Sequence, residues 1–140
     1  MKILFMCVAN SARSQLAEGL AKEILRPDIE VQSAGSHPGK LNPFAVQVMK
    51  EICIDISKHY SKSVDELSPN FFVGLDFVIT LCAEEVCPMI ITERAKKLHW
   101  PFPDPATKET LPEAEALQRF RETRDLISQK IKSFKMDYGL

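Results

Sequence analysis

Lys2-Ile3-Leu4-Phe5-Met6-Cys7-Val8-Ala9-Asn10-Ser11-Ala12-Arg13-Ser14 is the stretch whose reading decides the fold. Lys2–Met6 is almost wholly apolar, as expected of a strand covered on both faces of a parallel sheet. A short polar loop follows. From Ser14 to Leu25 the side chains of Leu16, Leu20 and Ile24, and of Ala17, Ala21 and Leu25, recur at helical spacing until Pro27 ends the pattern. A buried strand, a polar loop and an amphipathic helix in that order begin an α/β fold.

The pattern continues outward. Glu30–Ser33 reads as a second strand ending in a Ser33-Ala34-Gly35 turn. Asn42 can cap a helix that starts at Pro43, with Val46, Met49, Ile52 and Cys53 on its buried face. Cys53 is thereby expected to be a core residue. Phe77–Leu81 reads as the third strand and Leu98–Trp100 as a short fourth. A last long helix follows Thr110, which can form a capping box with Glu113; Leu117, Phe120, Ile127, Ile131 and Phe134 make its buried stripe. The connection over residues 107–115 is longer than a minimal one and has no functional reading. Strands alternating with helices predict an α/β fold: a single domain over residues 1–140, with an open parallel sheet of about four strands and helices on both faces. In such a sheet ligands bind beyond the carboxyl ends of the strands, where the segments after Met6, Leu81 and Trp100 converge.

Composition limits the function. The chain has 140 residues, 45% hydrophobic and 26% charged, with a net charge of −1. No basic stripe suggests a nucleic-acid partner, so any anion site must be local. Ile3–Ala9 is too short for a membrane span and lacks the pattern of a secretory signal. These features predict a cytoplasmic protein with no membrane association; a monomer is expected, although no feature of the sequence fixes the oligomeric state. In a reducing compartment its four cysteines are better suited to catalysis, redox chemistry or metal binding than to structural disulfides.

Cys7 and Arg13 enclose five residues between strand and helix. A loop of this length can wrap a tetrahedral oxyanion with successive N–H groups pointing inward. The following helix adds further N–H groups and the positive end of its dipole. Val8, Ala9, Asn10, Ser11, Ala12, Arg13 and Ser14 are therefore the candidate oxyanion-binding residues. Arg13 offers a planar fork that can grip two oxygens. Cys7 is the candidate nucleophile in its thiolate form, which the same field favours and which Ser14 can hydrogen-bond. A lone cysteine at a strand end is ordinarily just a small buried hydrophobe. The flanking elements and the placement of Arg13 reverse that reading. A Walker loop is excluded, since no Gly-Lys-Ser/Thr is present.

The pattern Cys7-x-x-Asn10-x-x-Arg13-Ser14 resembles the oxyanion loop of the low-molecular-weight protein tyrosine phosphatases and of the arsenate reductases that share their fold. The resemblance extends over nearly the whole chain. Ala9 stands where a glycine is common and Ala12 where a cysteine is often found; neither change removes a catalytic group.

Three further features take their meaning from that resemblance. Asp104, in Trp100-Pro-Phe-Pro-Asp104-Pro105-Ala106, would be an ordinary turn aspartate on its own. The resemblance makes it the general acid that protonates a departing oxygen. Ala106, where the phosphatases carry tyrosine, favours the reductases. Cys82 and Cys87, four residues apart, are the discriminating pair. A phosphatase needs one cysteine, whereas a reductase can use three in relay: Cys7 attacks arsenate, Cys82 attacks Cys7, and Cys87 attacks Cys82. The spacing allows a disulfide in a tight loop or helical turn, and Glu84-Glu85 suggests an exposed segment that switches conformation. It also lies within zinc-site spacing, with His99 as a possible third ligand, but no second pair completes four ligands. No metal and no bound cofactor are therefore expected. The implied substrate is arsenate, with phosphate or sulfate competing, and the implied reductant is an external dithiol, thioredoxin ahead of glutaredoxin. The alternative is a tyrosine or small-molecule phosphatase using Cys7, Arg13 and Asp104 alone.

Some reductases of the family bind potassium near the loop through residues that match Asn10, Glu18 and Ser33. Lys62 falls where a further acidic ligand is expected, so independence of potassium is implied. His37, His59 and His99 lack metal-ligand spacing and are expected to be structural.

Overall fold

The computed structural model describes residues 1–82, 94–106 and 111–140. Strand alternation in β1 (Lys2–Cys7) sends Ile3 and Phe5 into one hydrophobic cluster and Leu4 and Met6 into another, all four fully buried. β1 is thus an interior strand. It pairs in parallel with β2 (Glu30–Gly35) on one side and β3 (Phe77–Cys82) on the other. β4 (Lys96–Phe102) adds to β3, giving the order β2-β1-β3-β4. The predicted four-stranded parallel sheet is present.

The Ile3–Phe5 face carries the larger core. α1 (Arg13–Ile24) contributes Leu16 and Leu20, α2 (Pro43–Lys50) contributes Ala45, Val48 and Met49, and α4 (Glu113–Tyr138) contributes the whole predicted stripe from Leu117 to Phe134. Aromatic contacts join sheet to helix: Phe5 packs on Trp100, and Trp100 and Phe77 each meet Phe134 edge-on. On the other face Leu67, Phe71 and Leu75 cover Leu4, Met6 and Val78. Leu67 follows a 3₁₀ turn at Val64–Glu66, Phe71 lies in a one-turn helix α3 (Pro69–Phe72) and Leu75 follows it; neither element is anticipated from the sequence. Among the described residues no helix is long and apolar enough to cross a membrane.

Several boundaries differ from expectation. β2 runs through Ser33-Ala34 to Gly35, because Gly35 pairs with Cys7 and no turn forms there. β3 extends to Cys82, and β4 is longer at both ends than Leu98–Trp100. α1 starts one residue early, at Arg13. Asn42 caps α2 as predicted, its side chain accepting from Phe44 N at 2.9 Å. That helix ends at Lys50, however, and Cys53 is exposed in the left-handed region at φ 63°. Cys53 N then bonds to Lys50 O and Ile54 N to Met49 O, the pattern of a helix-terminating turn. Cys53 is not a core residue; Ile56 returns the chain to the core instead. α4 begins at Glu113 with Pro112 as its cap residue, and Thr110 lies outside the described residues.

Candidate active site

β1 delivers Cys7 to the carboxyl edge of the sheet, and α1 begins six residues later with Arg13 already in its first turn. The loop between them is shaped by its carbonyls. Val8 O accepts from His37 N at 3.0 Å, Ala9 O from Gly39 N at 2.9 Å and Ser11 O from Asn42 N at 2.9 Å. Asn10 O accepts from Ser61 Oγ at 2.7 Å. A trans peptide sets its N–H opposite its C=O, so the amides of Ala9, Asn10, Ser11 and Ala12 face the other way, into the loop. Asn10 N accordingly lies 3.2 Å from Cys7 Sγ. This is the inward-pointing nest expected for an oxyanion.

Two backbone features permit the close turn. Asn10 adopts the left-handed conformation, φ 51°, which asparagine tolerates better than most residues. Ala9 does not have a positive φ, so alanine replaces glycine there without strain. Gly35, beside Cys7 in β2, has no side chain because a Cβ there would stand 2.4 Å from Val8 O and 3.0 Å from Asn10 N.

A buried hydrogen-bonded chain leads away from Cys7. Asn10 Oδ1 accepts from Lys62 N at 3.1 Å and from Gln15 Nε2 at 3.0 Å, which fixes the orientation of the Asn10 amide. Its Nδ2 therefore donates to Ser14 Oγ at 2.7 Å and to Ser33 Oγ at 3.0 Å. Ser14, having accepted from Asn10, can give its own hydrogen to Cys7 Sγ at 2.9 Å, the polarity a thiolate requires. Ser33 gives its hydrogen to Glu18 Oε1 at 2.8 Å.

Glu18 is the buried charge at the end of this chain. Lys62 Nζ approaches it at 3.5 Å, Lys22 Nζ at 2.9 Å and His59 Nδ1 at 3.2 Å. Burial pushes its carboxyl up, but the charges of Lys62, Lys22 and His59 outweigh that and hold it below the ordinary carboxylate value of 4.5. Burial pushes the His59 imidazole below 6.5, with Lys22 and Lys62 adding to the effect against the opposing pull of Glu18.

Arg13 is buried and reaches across the sheet edge, donating from Nη1 to Phe102 O at 2.9 Å. Its Nη2 lies 3.7 Å from Asp104 Oδ2. Asp104 is held in its turn by Ala106 N, which donates to Oδ1 at 3.0 Å, and its side chain is 45% exposed. The arginine and the candidate acid, far apart in sequence, thus meet at the mouth of the Cys7 loop.

Cys82 ends β3 on the same edge and is buried, with its Cα paired to that of Phe102 after an irregularity beyond Thr80. Cys87 and Glu84-Glu85 lie outside the described residues. His99 is engaged through Nδ1 by Thr80 Oγ1 at 2.7 Å. Among the described residues no group of three His, Cys, Asp or Glu side chains gathers as metal ligands would. Sequence reading missed Gln15, Gly35, Ser61 and the carbonyl of Phe102. Of these Gln15 alone left a signal, as a polar residue on the buried first turn of α1.

A parallel α/β sheet whose first strand ends in a cysteine-to-arginine nest of amides defines a protein of the oxyanion-loop cysteine class. Comparison makes this specific: the chain belongs to the low molecular weight phosphotyrosine protein phosphatase family, whose model matches residues 2–137. It is 44% identical over 134 residues to arsenate reductase 2 of Staphylococcus saprophyticus, covering 94% of each chain. A solved structure described as an arsenate reductase in the phosphate binding state is 28% identical, covers 97% of each chain and superposes with a TM-score of 0.76. The thioredoxin-dependent arsenate reductase of Corynebacterium glutamicum is 28% identical with a TM-score of 0.67, over 97% of this chain and 62% of that one.

Proposed function

We propose that the protein reduces arsenate to arsenite by a relay of Cys7, Cys82 and Cys87, and that an external dithiol protein of the thioredoxin class reduces the resulting disulfide. The observation that carries the reading is the Cys7 loop, with its carbonyls turned outward, its amides inward and Ser14 aimed at the thiol. The relatives named arsenate reductase supply the direction of the chemistry.

In this reading the amides of residues 8–14 and the Arg13 guanidinium bind arsenate. Cys7 Sγ forms a bond to arsenic as one oxygen leaves, protonated by Asp104. Cys82 Sγ then attacks Cys7 Sγ: the S–S bond forms, the S–As bond breaks, and its electron pair stays on arsenic, which leaves as arsenite. Cys87 attacks Cys82, releasing Cys7 as thiolate and leaving the Cys82–Cys87 disulfide for the external reductant. Cys82 is buried at the end of β3, the strand beside β1, so the two strands carry their cysteines to the same sheet edge. The conformational switch is expected in the segment that follows, at Glu84-Glu85.

The family description favours one competing reading, hydrolysis of a phosphate ester by Cys7, Arg13 and Asp104 alone. Arsenate-dependent NADPH oxidation in the presence of thioredoxin and its reductase separates the two. Turnover should vanish in Cys82→Ser and Cys87→Ser, with a Cys82–Cys87 disulfide trapped in the native chain after one cycle. Unchanged turnover in both variants sinks the relay, and no arsenate-dependent oxidation by the native chain leaves the phosphatase.

A further inference from the structure

Gln15 is a fully buried polar side chain that the reaction above does not use. It follows Arg13 and Ser14 in the first turn of α1, and both ends of its amide are occupied. Nε2 lies 3.2 Å from Asn10 O, 3.0 Å from Asn10 Oδ1 and 3.0 Å from Tyr60 O. Oε1 lies 3.0 Å from His59 Nδ1 and accepts from it, because Nε2 is the end that faces carbonyls.

These contacts converge on the strained residue of the loop. Asparagine tolerates the left-handed conformation better than most residues but does not prefer it, so the surroundings must hold Asn10 in it. Gln15 grips both oxygens of Asn10. It also ties down Tyr60 and His59, in the segment from which Ser61 Oγ and Lys62 N make the remaining bonds to Asn10.

We propose that Gln15 is a positioning residue for oxyanion binding, a clamp that keeps Asn10 in its left-handed turn so that the loop amides converge. The inference rests on the loop being the oxyanion site. Gln15 touches neither Cys7 nor the anion; it acts through Asn10. Its replacement by Met leaves most partners satisfied. Asn10 O keeps Ser61, Asn10 Oδ1 keeps Lys62 N and His59 Nδ1 keeps Glu18, while Tyr60 is exposed and its carbonyl can take water.

The test is protection of Cys7 from iodoacetamide by inorganic sulfate, read at the Cys7 peptide by mass spectrometry, in the full chain. Gln15→Met should raise the sulfate concentration for half-protection about tenfold, the scale of one net hydrogen bond. Its alkylation rate without sulfate should stay near that of the native chain, since Ser14 Oγ still faces the thiol. In Gln15→Glu the introduced carboxylate faces three acceptor oxygens, so protection should be weaker still at weakly basic pH. It should recover relative to the native chain as the pH falls and that carboxyl regains a proton. Half-protection within twofold of native in a folded Gln15→Met, or a Gln15→Glu deficit independent of pH, overturns the clamp. Failure of both variants to fold overturns it too, by making Gln15 purely structural. If sulfate does not protect the native chain at all, the reading of the loop falls first.

Discussion

Lys62 Nζ stands 3.5 Å from Glu18 Oε1, both side chains buried, two hydrogen bonds below the Asn10 amide. An ammonium already neutralises the carboxylate that could otherwise recruit a cation with Asn10 and Ser33. Turnover should therefore be equal in potassium and sodium at matched ionic strength. Selective activation by potassium would show that the lysine does not fill this role.

The same cluster sets a pH dependence of stability. Burial and the neighbouring lysines hold His59 below 6.5, so between that value and its lower native one the unfolded chain binds more protons. Stability should fall as the pH drops below 6.5. Glu18, held below 4.5 when Lys62, Lys22 and His59 outweigh its burial, contributes stability above 4.5 that is lost as the pH falls through its native value. Denaturant midpoints measured from neutral to acidic pH should decline in both windows. In Lys62→Met the second decline should shrink, because Glu18 loses the largest charge that lowers its pKa and its native value moves back toward the unfolded one.

Gly35 is confined by the loop itself. A Cβ there meets backbone, Val8 O at 2.4 Å, which cannot rotate away like a side chain. Gly35→Ala should cost about 1–3 kcal/mol by overpacking and should displace Val8 and Asn10 from their present positions. Oxyanion affinity, read by protection of Cys7, should fall with it. An alanine variant of native affinity would mean the loop has slack that this geometry does not show.

The loop was legible in the sequence because its parts are contiguous: an apolar strand, a cysteine, an arginine six positions on and a helix. The sheet was legible for the same reason. Its surroundings were not. Val8 O, Ala9 O and Ser11 O are held by the amides of His37, Gly39 and Asn42, contacts that any residue can make and that leave no mark on side-chain identity. The grip of Phe102 O on Arg13 is of the same kind. Apolar spacing through Ile52 and Cys53 misplaced the end of α2, because the periodicity outlasts the helix and the left-handed turn at Cys53 lacks the glycine that usually marks one.

The role proposed for Asp104 has a binding part and a chemical part, and the two can be separated. Its carboxylate lies 3.7 Å from Arg13 Nη2, where it competes with an incoming oxyanion for the guanidinium. Its side chain is 45% exposed, so solvent screens that competition and its removal should tighten oxyanion binding by only about twofold. As general acid it should matter far more: Asp104→Asn keeps the shape and loses the proton, and kcat should fall by about 10²–10⁴. The expected signature is a large loss in kcat with KM unchanged or lower, measured for arsenate reduction and for any phosphate ester the protein cleaves. A raised KM with kcat intact would instead make Asp104 a binding residue and return the search for the acid to another group near Arg13.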